Sequence, residues 1–332
     1  MKNRPFVSIV IPTFNRKDRL GRCLLHLGQL EYPRDRFEVI VVDDGSHDAA
    51  GIAGVVGAFQ GSRLIRNNKN EGAAAAKNRG AKESSGAFVV FIDDDIEADK
   101  GWLSELVAAA LADDTAAICA SKLLFKDRPG IVNSTGGVMN IYGDAWDRGV
   151  FEEDTGQYDK EERIFFGCSA AILVRRDALE RVGYFDETLL SIYEDVDLGW
   201  RINLAGYKAI YVPGSVAYHA FGGTIRSDDP EAKYMLERNR IRIMLKNYEL
   251  FTLLRNLAGL LKFKFERFKR DPRSAECRRG GLLFASLKAW SWNIACVSGV
   301  LTERVHVRKF KKVRDRDIFK IMGRYKYESF GI

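Results

Sequence analysis

The segment FVVFIDDD, Phe88–Asp95, decides the fold and marks the first candidate site. Its five apolar residues, three of them β-branched, form a run that is typical of a strand buried on both faces of a sheet. Three carboxylates follow at once, and mutual repulsion makes a purely structural role for them hard to justify. Because ligands of open α/β sheets bind beyond the carboxyl ends of the strands, Asp93, Asp94 and Asp95 are candidate site residues.

These three acids predict a site for a divalent cation. Carboxylate oxygens suit Mg²⁺ and Mn²⁺, which proteins usually hold through one or two carboxylates together with substrate phosphates. The alternative is a cluster that caps the N-terminus of a helix expected to begin at Trp102. We expect Mn²⁺ or Mg²⁺ as the cofactor.

Strand-like and helix-like segments alternate around this run. Short β-branched runs predict strands at Phe6–Pro12, Phe37–Val42, Ser62–Ile65 and Phe88–Ile92. Apolar spacing and propensity predict a helix with Leu20, Leu24, Leu27 and Leu30 on one face, and helices at Gly51–Phe59, Ala73–Lys82 and Trp102–Ala112. This alternation predicts an α/β fold with a mostly parallel sheet and helices on both of its faces.

The chain beyond residue 120 is less regular. Residues 121–165 favour strands and loops, because they are richer in Gly, Asp and aromatic residues. We then expect strands at Phe166–Val174 and Ala209–Val212 and helices at Asp177–Val182 and Asp195–Leu204. The composition changes near Ala232, so we predict a catalytic domain over residues 1–232 and a basic helical region over residues 233–332.

Two further segments carry candidate ligand contacts. Asp44 follows the second strand, where an acid can accept hydrogen bonds from a ribose or a base, although an ordinary Asx turn is the alternative. Asn70–Gly72 leads into a helix whose free N–H groups and dipole favour phosphate. Arg79 on that helix could add a diphosphate contact, and a surface arginine is the alternative.

The segment Tyr193–Asp197 opens another helix with three acids. We expect Asp197 to pair with Arg201 four residues on, which is a structural role. Glu194 and Asp195 are left as functional candidates, because an ionised acid in a cleft can deprotonate a hydroxyl group; helix capping is the alternative. His219 follows a strand and is either an additional Mn²⁺ ligand or a structural histidine.

Charge is distributed unevenly along the chain. Residues 1–232 contain 27 Lys+Arg and 36 Asp+Glu, whereas residues 233–332 contain 25 and 9, so the net charges are −9 and +16. This asymmetry favours an anionic partner for the C-terminal region, with a solubilising helical face as the alternative. The acidic N-terminal region would repel a phosphate backbone, so a membrane is favoured over a nucleic acid.

Apolar stripes flanked by basic residues support that interpretation. The first stripe has Leu250, Leu254, Leu257, Leu261, Phe265 and Phe268 beside Lys262, Lys264, Arg267, Lys269 and Arg270, and the second has Leu283, Leu287, Trp290, Ile294, Val297 and Leu301. Such helices suit the surface of an anionic membrane. Lys288 and Asn293 disfavour a membrane span over Gly280–Leu301. The alternative is that the stripes pack on the catalytic domain or on a second subunit.

Cysteine usage and the N-terminus predict the compartment. The five cysteines are scattered, without a C-x-x-C pair, which disfavours a disulfide framework or a zinc site and fits a reducing compartment. The chain shows no apolar stretch with a cleavage site before its first strand. We expect a cytoplasmic protein, peripheral on the cytoplasmic face of the cell membrane.

The order of these motifs resembles the family 2 glycosyltransferases of the GT-A fold. Seven segments carry the resemblance, which covers about residues 5 to 225: Val7–Arg16, Val39–Asp48, Asn70–Gly80, Phe88–Asp99, Gly167–Glu187, Tyr193–Arg201 and Gly206–His219. Within that family the chain is most similar to the rhamnosyltransferase-like branch. The YEDVDL string and Arg238–Arg240 carry this finer similarity.

The resemblance implies roles for individual residues. Asp44 would contact the base and Asp94 the ribose, while Thr13 and Arg79 help to hold the nucleotide. Asp95 would bind the metal on the donor diphosphate, joined by His219, and the neighbouring Asp93 completes the candidate metal ligands. Asp195 would deprotonate the acceptor hydroxyl, and Glu194 would orient the acceptor.

The implied reaction is an inverting transfer of one sugar from a UDP- or dTDP-sugar to a glycan or lipid-linked acceptor. The family's processive synthases carry a Q-x-x-R-W motif and several membrane spans, which this sequence lacks. A sugar nucleotidyltransferase is disfavoured, because Pro12–Arg16 takes the place of a Gly-rich basic loop after the first strand. A non-catalytic membrane-binding module is the remaining alternative.

Overall fold

The computed structural model describes residues 4–220, 230–255 and 279–322. The chain divides into two compact units. The first comprises Met1–Val138 and Trp146–Phe221, and the second comprises Met139–Ala145 and Gly222–Ile332. The first unit contains all of the candidate catalytic, nucleotide-binding and metal-binding residues.

The first four strands form the parallel part of a large sheet. They are β1 (Val7–Thr13), β2 (Phe37–Asp43), β3 (Ser62–Arg66) and β4 (Phe88–Ile92), separated by the helices α1 (Lys17–Leu27), α2 (Ala49–Gly57) and α3 (Ala73–Lys82). β1 pairs in parallel with both β2 and β4, so the order across the sheet is β3-β2-β1-β4. The chain therefore reverses its direction of travel across the sheet between β1 and β4, where α/β sheets form their ligand crevice.

The α/β class is confirmed, but the sheet is mixed and not mostly parallel. Its remaining strands are β5 (Ile96–Ala98), β6 (Ala116–Phe125), β7 (Arg128–Ser134), β10 (Glu162–Ile164), β11 (Ala171–Arg175) and β12 (Lys208–His219). β11 lies between β4 and β6 and is antiparallel to both. The first four residues of β11 are apolar and buried, and an apolar run of this kind does not reveal whether the strand is parallel or antiparallel to its neighbours.

Two strand predictions differ from the structure in their bounds. The strand expected over Phe166–Val174 begins only at Ala171, because residues 168–170 turn into it. The strand expected over Ala209–Val212 continues to His219 as β12, with a register shift against β6 between Val212 and Val216. That irregularity accommodates Pro213, which directly follows the predicted strand.

Helices cover the sheet and bury apolar faces against it. Leu20, Leu24 and Leu27 of α1 join one core cluster with Trp102 of α4 (Trp102–Ala112). The first unit also contains α5 (Arg176–Val182), α6 (Glu194–Leu204) and short 3₁₀ turns at Arg34–Arg36 and Glu187–Leu189. A separate two-stranded sheet pairs β8 (Gly137–Met139) with β9 (Ala145–Asp147). The predicted pair of Asp197 and Arg201 is confirmed, with Nε 2.8 Å from Oδ2.

The second unit is helical in its described residues. Its helices are α7 (Pro230–Asn247), α8 (Arg279–Ala295), α9 (Val297–Phe310) and α10 (Asp315–Met322), and residues 250–255 are also helical. Tyr234 and Ile241 of α7 pack with Ala285 and Ala289 of α8 in a small core. No helix in the described ranges is long and apolar enough to cross a membrane.

The basic residues of α7 face inward, which the sequence pattern did not indicate. Arg240 pairs with Asp144, and Arg242 and Lys246 pair with Glu303. All three cations are buried, so the charge of +16 overstates what this region presents to a partner. Part of the first predicted stripe, from Leu257 to Phe268 with its five basic neighbours, lies outside the described residues.

Arg201 provides a test of the fold. Its guanidinium also donates to the carbonyls of Val182, Gly183 and Tyr184, so it ties α6 to the end of α5. We expect Arg201→Met to lower the free energy of unfolding by about 3–5 kcal/mol, because the buried Asp197 loses the guanidinium that pairs with it. Urea denaturation measures this loss. Lys17→Met is the control, since it breaks only an exposed pair with Asp48; equal midpoints for both variants would contradict the prediction.

Candidate active site

The first pair of candidate residues meets where the sheet reverses its order. Thr13 ends β1, and Asp94 follows β4 two residues beyond its end. The hydroxyl of Thr13 donates to Asp94 Oδ2 over 2.7 Å, and both side chains are buried. Burial raises the pKa of Asp94 to about 6, although the Thr13 hydrogen bond and the charge of Arg16 oppose that rise. Two of the four residues predicted to bind the nucleotide therefore lie in direct contact at the crevice.

Asp44 organises the neighbouring loop. Its carboxylate accepts hydrogen bonds from the side chain of Asn67 (2.7 Å) and from the backbone N–H groups of Glu71 and Gly72 (2.9–3.1 Å). Gly45 permits this approach, because its φ is +82° and a Cβ there would lie 2.8 Å from the Lys69 carbonyl carbon. The structure thus places Asp44 beside the crevice as the anchor of residues 67–72.

Asp95 and His219 meet although 123 residues separate them in the chain. β5, which follows Asp95, pairs antiparallel with the end of β12, so that His219 lies opposite Ile96. Ala220 also donates its N–H to the carbonyl of Asp95. These backbone contacts bring His219 Nε2 to 3.4 Å from Asp95 Oδ1.

The orientation of His219 suits a metal ligand. Its Nδ1 lies 2.9 Å from Oδ1 of the buried Asn133, so a neutral ring donates there and turns the lone pair of Nε2 toward Asp95. Two acceptors that face each other at 3.4 Å require a cation between them, either a proton or a metal ion. Ligands at right angles around Mg²⁺, each about 2.1 Å away, are about 3 Å apart, so the pair fits a divalent cation.

Asp93 is not brought to this pair. Its carboxylate lies 2.9 Å from the ammonium of Lys77, a lysine that is 1% exposed. Across the described ranges, no cluster of three or more His, Cys, Asp or Glu side chains could hold a metal ion. A metal at Asp95 and His219 would therefore need further ligands from substrate phosphate or water, as Mg²⁺ sites commonly do.

Two arginines that the sequence interpretation did not single out border Asp95. Arg19 Nη1 lies 2.9 Å from Asp95 Oδ2, and Arg16 Nη1 lies 3.4 Å from carboxylate oxygens of both Asp94 and Asp95. Burial alone would raise the pKa of Asp95, but His219 and these guanidiniums outweigh it and lower the pKa. Their position directly after β1 was the available signal, because that strand end faces the crevice. Both are only partly buried, so both can also reach a phosphate group.

Arg79, predicted to hold the nucleotide, is directed elsewhere. It is exposed and donates to the side chain of Asn67 and to the carbonyl of Arg66 over 2.9 Å. It therefore supports the loop that Asp44 anchors. The structure does not bring it to Thr13, Asp94 or Asp95.

Glu194 and Asp195 form a second acidic site at the N-terminus of α6. Glu194 is buried and accepts a hydrogen bond from the Ser169 hydroxyl (2.9 Å), whereas Asp195 is partly exposed and accepts from the N–H groups of Val196 (2.8 Å) and Ser169 (3.3 Å). Tyr193, just before them, has the uncommon φ of +72°. Burial raises the pKa of both acids. An acid with a raised pKa and an accessible oxygen is suited to accept a proton.

Asp147 is a further acid near Asp195 that was missed from the sequence. It accepts a hydrogen bond from Ser134 (2.7 Å). Burial raises the pKa of Asp147, and the negative charge of Asp147 in turn raises the pKa of Asp195. Its surroundings, residues 126–149, gave little sequence signal.

Comparison with known proteins assigns this arrangement to a family. A family model described as glycosyl transferase family 2 matches residues 8–183, more than half of the chain. The O-antigen biosynthesis protein RfbC of Myxococcus xanthus is 31% identical over 248 residues, which are 71% of this chain and 19% of that protein. The pre-mycofactocin glycosyltransferase of Mycobacterium tuberculosis is 33% identical over 217 residues, which are 64% of this chain and 42% of that protein. The chain thus spans less than half the length of these two curated relatives.

A solved structure shows the same fold. The crystal structure of GalNAc-T7 with UDP, GalNAc and Mn²⁺ has a TM-score of 0.60 and 18% identity, and the match covers 76% of this chain and 49% of that chain. The predicted GT-A fold is therefore confirmed.

Asn133 tests the orientation of His219. We expect Asn133→Leu to weaken Mn²⁺ binding by about 10–100-fold, because the ring loses the acceptor that fixes its tautomer. Paramagnetic resonance titration with Mn²⁺ measures this, in the presence of whichever of UDP, dTDP and GDP the protein binds. Asn133→Asp is the matched control, since it keeps an acceptor oxygen and should bind Mn²⁺ at least as tightly as wild type. Unchanged affinity in Asn133→Leu would contradict the role of this hydrogen bond.

Proposed function

The chain belongs to glycosyl transferase family 2, and we propose that it transfers one sugar, with inversion, from a nucleoside-diphosphate donor to a hydroxyl group with the help of Mn²⁺ or Mg²⁺. One observation carries the proposal. Asp95, His219 and two arginines lie together at the end of the sheet, and the partly exposed Asp195 is held by two backbone N–H groups at the N-terminus of α6. The catalytic unit is the first one, which contains all of these residues.

The donor would lie across the crevice between β1 and β4. Asp44 and Asp94 are proposed to receive the base and ribose, with Thr13 holding Asp94 in place. Arg16 and Arg19 would contact the diphosphate, and Asp95 with His219 would hold the metal. When bound, the metal neutralises the charge that develops on the leaving diphosphate.

The acceptor would be activated from the other acidic site. Asp195 takes the proton of the attacking hydroxyl while its oxygens stay oriented by the N–H groups of Val196 and Ser169. Glu194 is more deeply buried than Asp195. It would orient both the acceptor and Asp195. A single displacement by the acceptor oxygen inverts the anomeric centre and needs no nucleophile from the protein.

The substrates are proposed from the family and the relatives. We propose a UDP- or dTDP-sugar as donor and a glycan or lipid-linked hydroxyl as acceptor, in the assembly of a surface glycan. The O-antigen name of one relative favours this class of acceptor. The rhamnosyltransferase-like branch, a cytoplasmic location and a domain boundary near residue 232 belong to the same proposal. A sugar nucleotidyltransferase would instead release pyrophosphate from a nucleoside triphosphate and a sugar phosphate.

A donor screen with two variants tests the reaction. UDP-, dTDP- and GDP-sugars are offered with and without Mn²⁺ or Mg²⁺, and the anomeric configuration of the product is read by NMR. We expect Asp195→Asn to lower kcat by about 10²–10⁴-fold while nucleotide binding stays at the wild-type level, because only proton transfer is lost. Glu180→Gln, an exposed acid on α5, should be unaffected. Wild-type turnover in Asp195→Asn, or a product with retained configuration, would contradict this mechanism.

The second unit presents an apolar surface that we propose to rest on an anionic membrane. Six large side chains recur every three to seven positions along α8 and α9, and their exposed fractions run from 47% for Val297 to 70% for Phe284. The others are Leu287, Ile294, Leu301 and Val305. Ala285, Ala289, Val300 and Val307 are buried on the opposite face, so the exposed stripe is not needed for the unit's own core.

The basic residues near this stripe favour an anionic membrane as its partner. The exposed Arg308 and Lys309 lie at the C-terminal end of α9, and the exposed Lys312 follows them. A helix that combines such a stripe with basic residues lies in the plane of an anionic interface, with its apolar face in the acyl boundary.

Vesicle flotation tests the membrane surface. We expect the triple change of Leu287, Ile294 and Leu301 to Ser to lower partitioning onto phosphatidylserine-containing vesicles more than tenfold, since each side chain buries apolar area worth about 1.5–3 kcal/mol when fully covered. Leu25→Ser with Leu111→Ser is the control, because both are exposed leucines of the first unit. Equal binding by both variants, or a dimer lost only in the triple variant, would assign the stripe to another role.

A further inference from the structure

Lys77 is a buried cation that the proposed mechanism has not used. It lies in the second turn of α3 and is 1% exposed. Its ammonium has three acceptors: Asp93 Oδ1 (2.9 Å), Ser169 Oγ (2.9 Å) and the carbonyl of Ser169 (3.0 Å). These contacts use all three of its N–H donors. They connect α3 to Asp93, just after β4, and to Ser169, just before β11.

Ser169 in turn contacts both acids at the N-terminus of α6. Its hydroxyl donates to Glu194 Oε1 over 2.9 Å, and its N–H lies 3.3 Å from Asp195 Oδ2. Lys77 therefore fixes the carbonyl and the hydroxyl of Ser169, the residue that contacts both Glu194 and Asp195. The charge of Lys77 also lowers the pKa of both acids, against the larger effect of burial.

We propose that Lys77 is a positioning residue for the proton-accepting site. Through Ser169 it sets the distance between the end of β4, where the donor would bind, and the carboxylates of Glu194 and Asp195. It also holds Asp93 away from the pair of Asp95 and His219. The catalytic part of this inference rests on the proposed function, whereas the structural linkage does not.

Stability alone is a poor reason to bury this lysine. Desolvating an ammonium costs several kcal/mol, and well-packed apolar residues in place of a buried ion pair are often neutral or stabilising. The simpler role would be neutralisation of Asp93. That role requires only one contact, whereas Lys77 makes two more to Ser169, which carries no charge.

Four variants separate positioning from neutralisation: Lys77→Met, Lys77→Arg, Asp93→Asn and the double variant of Lys77→Met with Asp93→Asn. The double variant removes both partners of the ion pair and so protects the test from misfolding. We expect its kcat to be about 10²-fold below that of Asp93→Asn, with an unchanged nucleotide Kd, because a misplaced base slows the chemical step alone. Lys77→Arg should recover part of the lost kcat.

Thermal melting gives a result that does not depend on activity. Glu194 faces Asp195 and Lys77, while Asp195 faces Asp147, Lys77 and Cys168. Without Lys77 the pKa of both acids rises further, so their ionised forms destabilise the fold more, and protonation relieves this at low pH. The double variant should therefore lose more Tm, relative to Asp93→Asn, at pH 8 than at pH 5.

The outcomes are distinct. Equal kcat, and equal pH dependence of Tm, in the double variant and Asp93→Asn would show that Lys77 only neutralises Asp93 and would overturn the proposal. If wild-type protein transfers no sugar from any donor, the proposed function fails, but the melting curves still decide whether Lys77 holds the two acids.

Discussion

The repulsion among carboxylates at one edge of the sheet is the constraint on which this structure depends. Acids follow β2 and β4 and open α6, and the fold brings them to the same end of the first unit. Each is matched by a specific donor: Arg66 for Asp43, Thr13 for Asp94, Arg19 for Asp95, and Lys77 for Asp93. An unpaired buried charge costs several kcal/mol, so these partners are as necessary to the fold as the apolar core.

The parallel part of the fold could be predicted closely from the sequence. β-branched runs and helical periodicity placed β1 to β4 and α1 to α4 within two or three residues, because local pattern and tertiary burial agree there. The second half of the first unit was harder. A strand buried on both faces, such as β11, is apolar whatever its direction, and Pro213 gave no indication that β12 continues beyond it.

The site was predictable in its acids but not in its cations. Carboxylates after strands are unusual enough to be noticed, and the positions of Asp94 and Asp95 follow from that signal. Asp195 follows from a different signal, the three acids that open α6. Lys77 and Arg79 stand two residues apart on one helix, and the sequence favoured Arg79 as the ligand contact. In an α-helix two residues are about 200° apart, so one side chain faces the core and the other faces solvent. Only the packing of α3 decides which of them is buried, and it is Lys77.

The partners of Asp95 explain why metal and diphosphate are expected to bind together. A divalent cation at Asp95 and His219 must share the carboxylate with Arg16 and Arg19, which already balance its charge. A divalent cation that arrives without phosphate would be repelled by these guanidiniums. A bound diphosphate would change this balance, because its oxygens could serve as further metal ligands and would give both arginines a new acceptor. The arginines beside Asp95 would therefore make the proposed metal site selective for a cation that arrives with phosphate, which is the form in which a nucleotide sugar would present it.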